Sequence, residues 1–343
     1  MKPLLNTLFV TTQGAYLARE GETVAVRVER ETVLRVPIHT LEGIVCLGQV
    51  SCSPPLLGLC CERNVTVSFL DERGRFWARV QGPVSGNVLL RREQYRRADD
   101  LLASAEIARA IVIAKIANSR NVILRALRDH PHLAGAHALQ QAANELAALL
   151  ESLRRPLPLD TVRGREGDAA RKYFAVFDHL ITAQKQDFRF LERSRRPPLD
   201  RMNALLSFFY ALLTHDVISA LESVGLDPAV GYLHRDRPGR PGLALDLMEE
   251  FRAFLCDRLA LSLVNRQQVR GTGFATVETG AVFMDDHTRK EVLVAYQKRK
   301  QEEIQHPFIK EKVAVGLLPF VQARLLARHL RGDLEGYPPF LWR

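Results

Sequence analysis

Cysteine is scarce in this chain. There are five, at positions 46, 52, 60, 61 and 256, and no C-x-x-C pair among them. An odd number of thiols in mostly apolar company excludes a disulfide framework and a zinc ribbon, and fits reduced, buried cysteines in a cytoplasmic protein. Long apolar runs are missing too. The stretch 107–117 carries Arg109 and Lys115 and so does not span a bilayer, and Asn6 and Thr7 break the apolar stretch after Lys2 before it becomes a signal peptide. Without a GxGxxG or a P-loop, no nucleotide cofactor is implied. Neither an internal repeat nor a low-complexity segment interrupts the chain. Acid is short relative to base: 39 Asp and Glu against 48 Lys and Arg leave a formal charge of +9. Such an excess suits a basic surface kept for solubility, but arginine's planar fork matches phosphate oxygens, so nucleic acid is the first partner to consider.

What is present describes a globular protein. The 343 residues are 47% hydrophobic and 25% charged, enough for two domains and a sizeable core. Residues 1–90 read as short β-branched or alternating runs between turns such as Gly21-Glu22. A helical segment is expected at 54–61, and a hairpin across Asp71-Glu72-Arg73-Gly74. Glycine and proline at 82–86 break the pattern, and a basic run (Arg91, Arg92, Arg96, Arg97) follows. From Asp99 the period changes to 3.6. Helices are expected at 101–128, 138–154, from about Gly164, at 203–222 as the central core helix, at 243–263, 286–304 and 320–330, with a short hairpin near 273–283. The expected fold is α+β with two domains: a small N-terminal β-sandwich-like domain (1–85) suited to dimerisation, a linker (86–98), and a larger all-α catalytic domain (99–343).

The most informative stretch is 231–252. His234 precedes a turn containing Pro238, Gly239, Pro241 and Gly242, and then a helical run begins at Leu243. Asp246 lies three residues before Glu249 and four before Glu250, so the three share one helical edge. An imidazole and carboxylates in register suit a divalent cation, and Arg235, Arg237 and Arg240 stand where an anion would enter. The same acidic edge is also what a solvated helix face presents. A second stretch places Glu166 among Arg163, Arg165, Arg171 and Lys172, where a carboxylate near a helix start also fits capping and the macrodipole. Met284-Asp285-Asp286-His287 reads better as a helix cap, and His215-Asp216 as a core pair.

Five motifs occur in order: Glu166-Gly-x-Ala-Ala-x-x-Tyr173-Phe174, Asn203-Ala-Leu-Leu-Ser-Phe-x-Tyr210-Ala-Leu-Leu, Gly231-Tyr-Leu-His234, Leu243-Ala-Leu-Asp-Leu-Met-Glu-Glu-Phe-Arg252 and Tyr296-Gln-x-Arg-Lys. With this spacing the whole chain resembles the CRISPR-associated integrase, the endonuclease-like subunit that inserts new spacers into a repeat array. Asn87-Val-Leu-Leu-Arg-Arg and the closing Tyr-Pro-Pro-Phe-Leu-Trp342 most resemble the form of subtype I-C. The resemblance implies metal ligands at Glu166, His234 and Glu249, a further acidic catalytic residue at Asp246, and Mg2+ or Mn2+ as cofactor. It also implies a homodimer formed through the β domain, and double-stranded DNA (prespacer and repeat) as substrate. Further partners follow from it: a small ferredoxin-like adaptation subunit bridging two dimers into a heterohexamer, and in subtype I-C a nuclease that trims the DNA ends. Arg163, Arg165, Lys172, Arg235, Arg237 and Arg240 are the candidate DNA contacts. Two other readings stay open, a non-catalytic DNA-binding scaffold and a stand-alone structure-specific endonuclease.

Overall fold

Backbone twist and turn chemistry set the first part of the chain. The computed structural model describes residues 6–41, 43–71, 76–80, 82, 88–130, 132–133 and 135–342. Strands β1 (Thr7–Val10), β2 (Tyr16–Glu20), β3 (Thr23–Val28), β4 (Glu31–Pro37), β5 (Gly43–Leu47) and β6 (Ser51–Cys52) precede helix α1 (Pro54–Glu62), then β7 (Thr66–Leu70) and β8 (Phe76–Val80). They form two four-stranded sheets, ordered β1-β5-β7-β8 and β4-β3-β2-β6. The β3–β4 hairpin turns on Glu29 and Arg30, both at positive φ (51° and 72°), which matches strand twist without the usual Asn-Gly. β7 and β8 pair antiparallel, as a hairpin should; its turn residues 72–75 lie outside the described residues.

Alternation along a strand does not encode its partners. β1 pairs β5, β5 pairs β7, and β2 pairs β6, all parallel, so the two sheets are not built from hairpins alone. Helix α1 makes the crossover that brings β7 parallel to β5. Ser53 caps α1, with Pro54-Pro55 pre-set in the first turn. The core of the unit gathers Leu17, Val24, Ile44, Leu56, Leu59 and Val67. The five cysteines are unpaired; Cys46, Cys60 and Cys256 are buried, as expected, while Cys52 and Cys61 are half-buried.

The remaining helices are α2 (Val88–Asp99), α3 (Leu101–Asp129), α4 (Ala136–Ser152), α5 (Leu159–Ala175), α6 (Arg201–Ser223), α7 (Gly242–Phe251), α8 (Arg258–Asn265), α9 (Asp286–Gln301) and α10 (Leu318–Leu330). Short hairpins β9 (Phe274–Thr276) with β10 (Val282–Met284), and β11 (Glu303–Gln305) with β12 (Lys312–Ala314), interrupt them. The first lies where a hairpin was expected; the second was not foreseen. The stretch expected as a linker is helical from Val88, with residues 86 and 87 outside the described residues.

Two compact units result: residues 1–85 with 289–302, and 86–288 with 303–343. Most of α9 therefore belongs with the β unit, where Gln297 Nε2 donates to the Thr7 carbonyl (3.2 Å), so the helical domain is not the continuous 99–343 segment expected. Periodicity shows that a segment is helical but not which core it joins.

In the second unit, Asp100 caps α3 (Leu102 N, 2.8 Å) and Asp200 caps α6 (Asn203 N, 2.7 Å). Helix α6 is the one described helix long and apolar enough to cross a membrane. Its Leu205, Leu206, Phe209 and Leu213 are fully enclosed, as a central core helix requires. Between α7 and α8 the helix widens into a π-helical turn, Arg252–Asp257, a local defect often found at functional sites.

Candidate active site

Nothing in α7's acidic edge is solvated. Asp246, Glu249 and Glu250 are 0%, 2% and 0% exposed. A buried carboxylate is costly unless each charge finds a partner. The three find three different ones.

Asp246 faces the turn before α7. Its Oδ2 accepts from the backbone N–H groups of Tyr232 (2.6 Å) and Leu233 (2.9 Å), and its Oδ1 from that of His234 (2.9 Å). Oδ1 also lies 2.6 Å from His234 Nδ1. This fixes the ring: Nδ1 carries the proton toward the carboxylate, and Nε2 keeps its lone pair for a ligand or a proton. Two glycines allow the approach. A Cβ on Gly231 would stand 2.6 Å from Asp246 Oδ2, and one on Gly242 would stand 2.6 Å from the Ala229 carbonyl oxygen. Arg163 of α5 ties the turn down from outside, donating to the Leu233 carbonyl (2.6 Å).

Glu249 faces α3 and α5. Its Oε1 lies 2.8 Å from Arg252 Nη1 and its Oε2 lies 2.8 Å from Lys115 Nζ. Oε2 makes no directional hydrogen bond, so its contact with the lysine is one of charge and proximity. The same ammonium also contacts Glu166 Oε1 of α5. Burial alone would push the Glu249 carboxyl up; Arg252 and Lys115 overcome it and hold it at about 2. Glu166 is not on a first turn: α5 begins at Leu159, after Pro158, and Asp160 takes the helix-start position. The capping explanation for Glu166 therefore falls.

Glu250 turns the other way, toward the C-terminal segment. It accepts from Tyr337 Oη (2.6 Å), Phe340 N (2.8 Å) and Gln322 Nε2 (3.0 Å). It takes no part in the Lys115 cluster.

Behind Glu249 a small cavity is lined by Lys115, Tyr173, Tyr210, Arg252 and Asp257, among others. Asp257, on the π-helical turn, accepts from Tyr210 Oη (2.7 Å) and Tyr173 Oη (3.1 Å), which ties α5 and α6 to the helix that carries Glu249. Burial pushes Asp257 up to about 6, more than these hydroxyls lower it. Arg252 and Arg193 both lie over the Tyr210 ring, 4.9 and 5.1 Å from its centroid.

Among the described residues no three His, Cys, Asp or Glu side chains stand in a metal-holding cluster. The structure brings Glu166 and Glu249 to one point and puts Lys115 there. It places Asp246 behind His234 rather than beside the glutamates. The residues nonetheless suit a hard divalent cation. Two carboxylates from different helices converge on a cationic position, one of their oxygens is buried without a directional partner, and the imidazole has its outer nitrogen free of Asp246.

The candidate DNA contacts divide. Arg163 is spent on Leu233 and Asp160 (2.9 Å), Arg235 also meets Asp160 (3.2 Å), and Lys172 pairs with Glu145. Arg165 is half-buried, with its Nε enclosed and unbonded. Arg237 is exposed, while Arg240 is half-buried, its guanidinium pushed down by burial and by Arg237. Asp285 does cap its helix, accepting from Thr288 N (2.7 Å), as the competing reading of that cluster had it. Lys115, Arg252 and Asp257 were missed as site residues. The one available signal was Lys115 itself, a lone charge within the apolar run 110–117.

Known proteins resemble this chain over most of its length. The family model for CRISPR associated protein Cas1 matches residues 8–298. The CRISPR-associated endonuclease Cas1 1 of Chlorobaculum tepidum is 58% identical over 343 residues, covering all of both chains. A CRISPR-associated exonuclease Cas4/endonuclease Cas1 fusion of Geobacter sulfurreducens is 33% identical over 342 residues, 98% of this chain and 60% of the fusion. Among solved structures, a casposase bound to integration product shares the fold, with a TM-score of 0.84 at 22% identity over 98% of this chain and 94% of that one. A mixed α+β fold, a β-sheet region followed by a larger helical part, is common to them, and the chain belongs to the Cas1 family of CRISPR-associated proteins.

Proposed function

We propose that this chain is a metal-dependent DNA endonuclease and integrase of CRISPR adaptation. The observation that carries it is the convergence of Glu166 and Glu249 on one cationic position, beside a histidine oriented by Asp246. Glu166, Glu249 and His234 Nε2 would hold Mg2+ or Mn2+. Bound there, the cation would neutralise charge on the phosphorus and make a hydroxyl or water more acidic.

The chain's own residues supply the rest. A DNA 3′-hydroxyl attacks the repeat phosphodiester; one P–O bond forms and the bond to the leaving 3′-oxygen breaks, so the number of phosphodiesters is unchanged. Water in place of the hydroxyl gives endonuclease cleavage. With Nδ1–H committed to Asp246, His234 Nε2 enters as a ligand or as acceptor of the nucleophile's proton; donation to the leaving oxygen requires that it be protonated first. Asp246 acts through His234, as its orienting group.

By the family's pattern the reading extends to a cytoplasmic homodimer joined through the β unit and bridged by a small ferredoxin-like subunit into a heterohexamer. Relatives in which Cas4 exonuclease and Cas1 are fused support an end-trimming nuclease as partner. We assign the chain to subtype I-C on its closing Tyr-Pro-Pro-Phe-Leu-Trp342.

The test is strand transfer with Mn2+, a short duplex with free 3′-hydroxyl ends and a repeat-bearing plasmid, with and without the small subunit. Wild type should join the DNAs, and Glu166→Ala should lower joining at least about 100-fold, as expected when an electrostatic transition-state contact is lost. Joining unaffected by the substitution sinks the site. Cleavage without joining leaves a stand-alone nuclease, and metal-indifferent binding with neither leaves a scaffold.

A further inference from the structure

Lys115 has no part in the reaction just described. It stands in the middle of α3, and its ammonium meets Glu166 from α5 and Glu249 from α7. Its side chain is 12% exposed and that of Glu249 is 2% exposed. Two carboxylates this close, in water-poor surroundings, repel unless a cation lies between them. In this chain the cation is built in.

The charges at the site are already balanced: Lys115 and Arg252 answer Glu166 and Glu249. A divalent ion added between the same oxygens, with the lysine still in place, would leave the pocket strongly positive and would stand against an ammonium. One cation has to leave. Arg252 is held by Glu249 Oε1 (2.8 Å) and by the face of Tyr210, and its planar guanidinium is tied on both sides. Lysine carries a compact charge on four rotatable carbons and is the one that can swing away.

We propose that Lys115 is an exchangeable counter-ion of the metal site: its ammonium holds Glu166 and Glu249 together in the metal-free chain, and a divalent cation binds these carboxylates by displacing it. The proposal rests on the metal reading of Glu166, His234 and Glu249. It makes Lys115 a positioning residue that sets the metal concentration at which the site loads.

The experiment uses the full chain, with Mn2+ as probe. Free aquo-Mn2+ is followed by electron paramagnetic resonance during titration, and thermal unfolding is recorded in EDTA and in Mn2+. Lys115→Met should bind Mn2+ about tenfold or more tightly than wild type, since a competing charge a few ångströms away is gone. It should also unfold at lower temperature in EDTA and gain more from Mn2+. Lys115→Arg, which keeps the charge, should bind no more tightly than wild type. Circular dichroism checks folding, and Lys115→Gln replaces the methionine variant if that fails to fold. If wild type binds Mn2+ and the neutral variants bind equally or more weakly, the exchange is overturned and the metal site survives. If neither wild type nor variants bind, the metal reading fails and takes the exchange with it. Binding by the neutral variants alone supports the exchange, with the lysine winning in wild type.

Discussion

At the scale of residues, three carboxylates within five positions serve three purposes. Spacing showed that Asp246, Glu249 and Glu250 share an edge; it could not show where each points, because partners on α3, on α10 and in the 337–340 segment are remote in sequence. Asp246 is the clearest case. The family resemblance made it an acidic catalytic residue, and its four contacts with residues 232–234 make it the group that orients His234. Asp246→Asn removes the charge that the N–H groups and the ring face. It should weaken Mn2+ affinity about 10–100-fold, the usual cost of losing an outer partner of a ligating histidine. A Mn2+ titration of wild type and variant, each checked for folding, measures this; equal affinities would mean that His234 does not depend on Asp246.

At the scale of elements, most helices were legible because 3.6-residue periodicity survives in a single sequence. Boundaries were less so. Helix α5 starts at Leu159, ahead of the expected Gly164, since Pro158 ends one segment and opens the next. Strand pairing was not legible, because parallel partners such as β1 and β5 are joined through intervening strands. The π-helical turn left no mark in the pattern of apolar residues. One element-scale consequence concerns pH. Glu250 pins the 337–340 segment through Tyr337 and Phe340 and also accepts from Gln322 of α10, yet burial outweighs these donors and pushes its carboxyl from 4.5 up to about 8. The folded chain then holds a proton that the unfolded chain releases. The contribution is complete below about pH 4.5 and is lost as pH rises through 8. Glu250→Gln should abolish this component, which is on the order of a few kcal/mol across the window. Urea midpoints for the two proteins at pH 5 and pH 8 test it: wild type should lose ground to the variant at the higher pH, and parallel lines would overturn the assignment.

At the scale of the whole molecule, the +9 charge favours a polyanion but does not say which arginines meet it. Structure sorts them. Arg163 is occupied by a carbonyl and a carboxylate, whereas Arg237 is exposed. If Arg237 meets a DNA phosphate, Arg237→Ala should reduce the slope of log affinity against log salt by about 1. Arg163→Ala should leave the slope alone and lower the melting temperature. Duplex binding measured from low to moderate salt, with melting curves, separates the two; the reverse pattern would exchange their roles.

Helix α7 works as a key. Its inner carboxylates engage the 232–234 turn, the Lys115 position and the 337–340 segment, each at a fixed angle around the axis. A shift of one residue along the helix, or a rotation by one position, would release all three at once. The helix therefore cannot serve as the moving part when ligands arrive, and adjustment falls to flexible side chains around it. Exchanging Asp246, Glu249 or Glu250 therefore disturbs a partner that lies outside the helix.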